Sequence, residues 1–242
     1  MDRRRFLVGA APTVLAAGIG AGAVALAEPA SGATRPAYSK ARRGVGLGSQ
    51  QVLWSVDQDE VMLTFDDGPY PALTPHVLDI LDRYDVKATF LLVGAFVEAA
   101  PAVVDDLLGR GHQVGNHTWT HRDLTELEAD EVRTELQRTH DVLSRHTDDI
   151  RWFRPPRGQL SGVAIQVAAE LGYDMLLWSA EELEPLVPGT LAVWHDGLGR
   201  GGFRDADDPA RTQRHDERVA QIAQLPAAIE AALAQGLRFV SR

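Results

Sequence analysis

From residue 57 to its end, the chain alternates short apolar runs with stretches of helical spacing, and no other feature restricts its fold as much. The apolar runs cover residues 60–65, 88–93, 113–116, 151–154, 174–178, 191–195 and 238–241. Their length and their bounding turn residues mark them as strands. Helix signals fall between them. Thr74 ahead of Pro75 reads as a cap opening a helix to about residue 84, and Pro101 opens a second helix that Gly111 closes. Thr125 with Glu128 reads as a capping box ahead of a stripe of Val132, Leu136 and Leu143. Ser161 and Gly172 bracket a fourth helix, and an Ala-rich helix is expected over residues 216–235. Strands and helices in strict alternation imply an α/β fold with a parallel sheet, open or closed into a barrel, in a single domain over residues 57–242.

The chain has 242 residues, enough for one domain plus appendages, and its 45% hydrophobic content excludes wholesale disorder. It carries 24 Lys and Arg against 34 Asp and Glu, a formal charge of −10. A basic footprint for a polyanion is lacking, so no nucleic acid partner is expected. With no cysteine, disulfides, thiolate metal sites and a Cys nucleophile are all excluded.

Residues 1–33 read as a targeting segment. Arg3, Arg4 and Arg5 precede Phe6, Leu7 and a weakly apolar Ala/Gly run, a twin-arginine pattern with cleavage candidates near Ala27 and Ala33. Gly18, Gly20, Gly22 and Pro12 make the run a poor membrane span, so export by the twin-arginine route is expected, with no stable membrane anchor after cleavage. Residues 34–56 read as a linker.

Chemistry-bearing residues cluster just past the strand ends, the side of a parallel α/β fold where active sites form. Asp66 and Asp67 follow the first run, within Thr64-Phe65-Asp66-Asp67-Gly68-Pro69. They are either tight-turn material or a carboxylate pair that needs a cation or hydrogen bonds to stay ionised. His117 and His121 lie four apart in His117-Thr118-Trp119-Thr120-His121, which on a helix would put both imidazoles on one side. Such a pair is surface decoration on its own; joined by a carboxylate it becomes a two-His, one-Asp ligand set. Zinc suits those donors, with cobalt, nickel or iron as alternatives. Arg154 opens Arg154-Pro155-Pro156-Arg157-Gly158, where two prolines force the backbone out of the sheet and the guanidinium can hold a site carboxylate. His195 ends Val193-Trp194-His195, a titratable imidazole at another strand end. His140, His146 and His215 read as surface residues.

Together these four motifs resemble, in order, those of the polysaccharide deacetylase family, the NodB-homology domains of carbohydrate esterase family 4. The resemblance covers about residues 58–242. It implies a distorted (β/α) barrel of about seven parallel strands. It also implies a divalent metal, zinc foremost, on Asp67, His117 and His121, with Asp66 as general base, Arg154 holding Asp66, and His195 as general acid. The backbone N–H of Arg157 would stabilise the oxyanion, with Pro155, Trp119 and Trp178 near the substrate; Trp194 and Phe203 are further candidates for the groove wall. The implied activity is N-deacetylation of an acetamido-sugar polysaccharide, peptidoglycan or chitin-like, by a secreted monomer whose partner is the acetylated glycan. Three alternatives stand beside it: a catalytically weak glycan-binding relative, an O-acetyl (xylan) esterase, and a small-molecule amidohydrolase.

One departure stands out. The family's fourth motif places an Asp-Trp pair before the last motif, and that Asp bonds the catalytic His. Here Trp178 leads through Glu181 and Glu182 almost directly to Gly189, with the pair absent and no room for the intervening helix. Glu181 or Glu182 could stand in for the Asp.

Overall fold

The computed structural model describes residues 50–242. The expected export segment and most of the expected linker lie outside the described residues. Within the described residues, eight strands form one sheet: β1 (Val52–Leu53), β2 (Glu60–Asp66), β3 (Thr89–Leu92), β4 (Gln113–Asn116), β5 (Trp152–Phe153), β6 (Asp174–Leu176), β7 (Leu191–His195) and β8 (Arg238–Val240). Their order is β1-β6-β5-β4-β3-β2-β7, with β8 also paired to β2, and every pairing is parallel. Isolated bridges tie Ser55 to Thr190 and Ala180 to Ala192, so both ends of the order meet around β7. The expected distorted barrel is therefore present.

Among the described residues, seven helices pack between the strands: α1 (Thr74–Arg83), α2 (Gly94–Ala99), α3 (Pro101–Gly109), α4 (Ala129–Leu143), α5 (Gly162–Glu170), α6 (Pro209–Ile222) and α7 (Leu225–Ala234). β2 is buried along its whole length, as a strand covered on both faces must be. Phe65 stacks on Phe90 of β3 at 4.9 Å between ring centroids. Val132, Leu136 and Leu143 are buried as their spacing predicted, each contributing about 2 kcal/mol through the area it removes from water.

Local readings need correction in five places. The cap of α1 is Leu73, and Thr74 is already helical; its hydroxyl accepts from the Tyr70 N–H and donates to Asp196 instead of capping. The capping box of α4 is Glu128 with Glu131, because Thr125 is taken into a short 3₁₀ turn capped by Asp123. The helix expected over 216–235 is two, α6 starting earlier at Pro209 under an Asp208 cap, and α7 restarting at Leu225 with Pro226, which has no N–H to continue a helix. Residues 34–56 are not all linker, since Val52 and Leu53 pair with Met175 and Leu176. His140 and His146 are not free surface groups: His140 bonds the Tyr173 hydroxyl at 2.8 Å and His146 faces Asp105 at 2.6 Å.

Candidate active site and metal centre

Four strand ends deliver their side chains to one cleft of about 340 Å³, whose lining includes Asp66, Asp67, His117, His121, Trp178, Glu182 and His195. Asp66 ends β2 and Asp67 starts the turn after it, with a φ of 76° that an aspartate tolerates better than most side chains. His117–His121 is not helical, the condition under which its spacing would have put both imidazoles on one side. Thr118 and His121 both have positive φ, and the segment is an irregular loop that brings the two imidazoles to 5.0 Å between centroids. Glu135 of α4 holds this loop. Its carboxylate accepts from the backbone N–H of Trp119 and of Thr120, and from the Thr120 hydroxyl.

The donor geometry fits a small cation. One ligand atom each from Asp67, His117 and His121 lies within 4.8 Å of the others, all three residues being buried. His117 Nδ1–H donates to the Arg154 carbonyl at 2.8 Å, which leaves Nε2 with its lone pair facing the carboxylates. Asp67 Oδ1 stands 3.0 Å from His121 Nε2 and 3.6 Å from His117 Nε2, yet makes no hydrogen bond. A buried carboxylate oxygen without a partner is costly in a protein interior, and a metal ion removes the cost. Burial opposes ionisation of Asp67, but the neighbouring imidazoles outweigh it and hold the carboxyl well below the usual range. Burial likewise opposes a charge on His117, and the facing Asp66 and Asp67 reverse that, raising its pKa. The carboxylates that favour a proton on His117 equally favour a metal beside it. Two nitrogens and one oxygen match zinc.

Asp66 is held from behind. The Arg154 guanidinium, completely buried, donates from Nη1 to Asp66 Oδ1 at 2.6 Å and to Thr64 Oγ1 at 2.9 Å. Its Nε and Nη2 donate to the carbonyls of Leu176 and Leu177 at 2.6 and 2.8 Å. This pairing leaves Asp66 Oδ2 turned toward the cluster, 3.7 Å from His117 Nε2.

Beside it, His195 is the register partner of Asp66 in the neighbouring strand β7 and also lines the cleft. Its Nδ1 meets Glu182 Oε1 at 3.2 Å, and the same oxygen accepts from Arg218 Nη1 at 2.9 Å. Burial pushes the Glu182 carboxyl up, but His195 first and Arg218 after it bring the pKa down. Arg218 also stands 3.7 Å from Asp67 Oδ2, touching both sides of the site. The Asp67 and Gly197 turns are in direct contact: a Cβ on Gly197 would lie 2.0 Å from the Asp67 carbonyl oxygen, so only glycine fits there. Beneath them, burial pushes the Asp196 carboxyl up to about 7, and the Thr74 hydroxyl donates to it.

The polysaccharide deacetylase profile matches residues 55–176, half of the chain, and a chitooligosaccharide deacetylase of Sinorhizobium fredii is 30% identical over 182 residues, 83% of that protein. The chain belongs to the polysaccharide deacetylase family. A peptidoglycan-N-acetylglucosamine deacetylase of Bacillus cereus is 36% identical over 126 residues, 52% of this chain and 46% of that one. The chain spans 46–61% of the length of these curated Bacillus relatives. Among solved structures, a family 4 carbohydrate esterase from Bacillus anthracis superposes with a TM-score of 0.65 at 25% identity, over 81% of this chain and 86% of the other.

Within this family member, the structure brings Asp66, Asp67, His117, His121, Arg157, Trp178 and His195 to the cleft, with Arg154 directly behind Asp66. Arg157 sits in the left-handed region at φ 58°, its side chain exposed and 3.8 Å from Asp123. Pro155 is buried just ahead of it. Trp119 and Trp194 do not reach the cleft. Trp119 is buried against Gly94, with the Arg138 guanidinium 3.9 Å over its ring, and Trp194 belongs to the core. Phe203 lies outside the cleft, stacked on Phe96. Glu182 resolves the choice that the sequence left open. Arg218 and Glu135 were not foreseen, although a glutamate inside the apolar stripe of α4 was a legible sign of a buried acceptor role.

Proposed function

We propose that this chain is an exported, metal-dependent hydrolase that removes N-acetyl groups from an acetamido-sugar glycan. The observation that carries the proposal is the convergence of Asp66 and His195, from the ends of two adjacent strands, on the cleft that holds the Asp67, His117 and His121 cluster. The named activities of the similar proteins from Bacillus cereus and Sinorhizobium fredii support it.

A divalent metal on Asp67, His117 and His121 would polarise the acetyl carbonyl and acidify the water that attacks it. Asp66 Oδ2, left free by the Arg154 pairing on Oδ1, accepts the proton of that water. The backbone N–H of Arg157 donates to the oxyanion formed from the acetyl oxygen. His195 gives its proton to the departing amine nitrogen through Nε2, because Glu182 occupies Nδ1. Acetate and a free amino sugar result. A binding module needs neither a base clamped by a buried arginine nor an imidazole oriented by a glutamate, so the arrangement favours turnover over glycan binding alone. Export rests on the arginine triplet Arg3–Arg5 and the apolar run after it.

Purified protein supplied with zinc is expected to release acetate from N-acetylglucosamine oligomers or peptidoglycan fragments, and a chelator to abolish release. Metal-loaded protein that releases none from any acetylated glycan would leave the binding-module reading in its place.

A further inference from the structure

We propose that Arg200 and Arg214 form an anion-binding wall of the cleft that receives a carboxylate carried by the glycan, so that acidic acetamido-sugar polymers are preferred over neutral ones. The proposal rests on the acetamido-glycan reading above and extends it to the class of polymer. It starts from how charge is distributed. Asp66 is paired with Arg154 and Glu182 with Arg218, while Asp67 faces the two imidazoles. Arg200 and Arg214 also line the cleft, both exposed, and neither has an ion pair among the described residues. Against them stands one unmatched cleft carboxylate, the exposed Glu181.

The segment that carries them is charge-sorted. Residues 199–218 hold five arginines and five acids, yet three of the arginines line the cleft and none of the acids does. Asp208, for example, faces Arg204 and caps α6. In a chain of net charge −10, guanidinium groups left unmatched at a cleft run against the overall field and present a local attraction for an anion.

The wall is also pre-positioned. Arg214 lies against the backbone of Gly201, where a Cβ would stand 3.1 Å from its Cδ and 3.2 Å from its Nε. Phe203 stacks on Phe96 at 4.6 Å between centroids, pinning the short 3₁₀ turn Gly199–Phe203 to the barrel. Guanidinium is planar and forked, the geometry that pairs with a carboxylate through two parallel hydrogen bonds. A cleft of about 340 Å³ is at the small end of ligand sites, with room for about one sugar and its substituents. The carboxylate therefore belongs to the acetylated sugar or to its immediate neighbour.

The test is calorimetric binding to the metal-loaded full chain, with four oligosaccharides. In one, alternate acetamido sugars carry a 3-O-lactyl carboxylate; in another, N-acetylglucosamine alternates with glucuronate; the other two are their methyl esters. At least one acid is expected to bind about tenfold more tightly than its ester, and which acid does so tells whether the charge sits on the same sugar or the next. The double variant Arg200→Gln/Arg214→Gln should bring acid and ester to equal affinity, and Arg200→Lys/Arg214→Lys should keep part of the preference. Equal binding of both acids and their esters by the unmodified protein, or an undiminished preference in the Gln variant, would overturn the proposal. Acetate release is measured alongside. Tight, arginine-dependent acid binding without any acetate from acid or ester would sink the deacetylase reading and leave this one standing. Acetate from both without discrimination in binding would do the reverse.

Discussion

The Asp66 side of the cleft is anchored by a fully buried arginine that is itself bonded to backbone, whereas the His195 side is held by a relay of side chains from distant parts of the sequence. Arg154 is completely buried and spends four hydrogen bonds on holding Asp66 and itself. His195 keeps 23% of its side chain exposed and depends on Glu182, from the loop between β6 and β7, which in turn depends on Arg218 in α6. The first arrangement is local and over-determined. The second reaches the same kind of geometry through two ion pairs, so its failure should be graded where that of the first is abrupt.

The largest expected effect lies on the Asp66 side. Asp66→Asn should lower kcat by roughly 10²–10⁴-fold with zinc content by metal analysis unchanged. Loss of the metal together with activity would move Asp66 from base to ligand.

Acid should weaken the fold itself, from the opposite end of the barrel. His112 precedes β4, and its Nδ1 accepts from the Ala88 N–H at 3.2 Å, linking the start of β4 to the approach to β3. Burial foremost, with Lys87 adding to it, lowers its pKa to about 4. A proton on Nδ1 would break that bond. The unfolded chain takes up this proton near pH 6.5 and the folded one only near 4, so acidification favours unfolding across that window. Urea titrations should show up to about 3 kcal/mol of stability present above pH 6.5 and lost as pH falls to 4. His112→Asn, whose amide oxygen can take the Ala88 N–H, should flatten that slope. An unchanged slope in this variant would show that another group governs acid sensitivity.

The smallest of the three tests the relay. Glu182→Gln should reduce kcat by roughly 10–100-fold, again with zinc retained. A loss as deep as that of Asp66→Asn would erase the distinction between the two sides, and no loss would remove Glu182 from the catalytic apparatus.

The same division explains what was legible in the sequence. Strand β4 and strand β7 lie where their apolar runs put them, and the four motifs that end strands delivered Asp66, Asp67, His117, His121, Arg154 and His195 to one place. Position along a strand is a local property, and short-range pattern records it. Arg218 carries no comparable mark: an arginine on a polar helix reads as solvated until a glutamate 36 residues away faces it. The shape of the His117–His121 loop was hidden for a related reason, because the middle of the loop is bonded to Glu135, which sits on another element. Trp119 failed as a groove residue because an indole beside a ligand loop can point inward as readily as outward. Here the opening opposite Gly94 takes it.

The pairing of Asp66 with His195 across β2 and β7 has a consequence for evolution of the site. Neighbouring strands stand about 4.8 Å apart and cannot be pulled wider without breaking the ladder that joins them. The backbone separation of Asp66 and His195 is thus a ruler cut into the barrel itself. Loops such as 199–208 are under no such constraint.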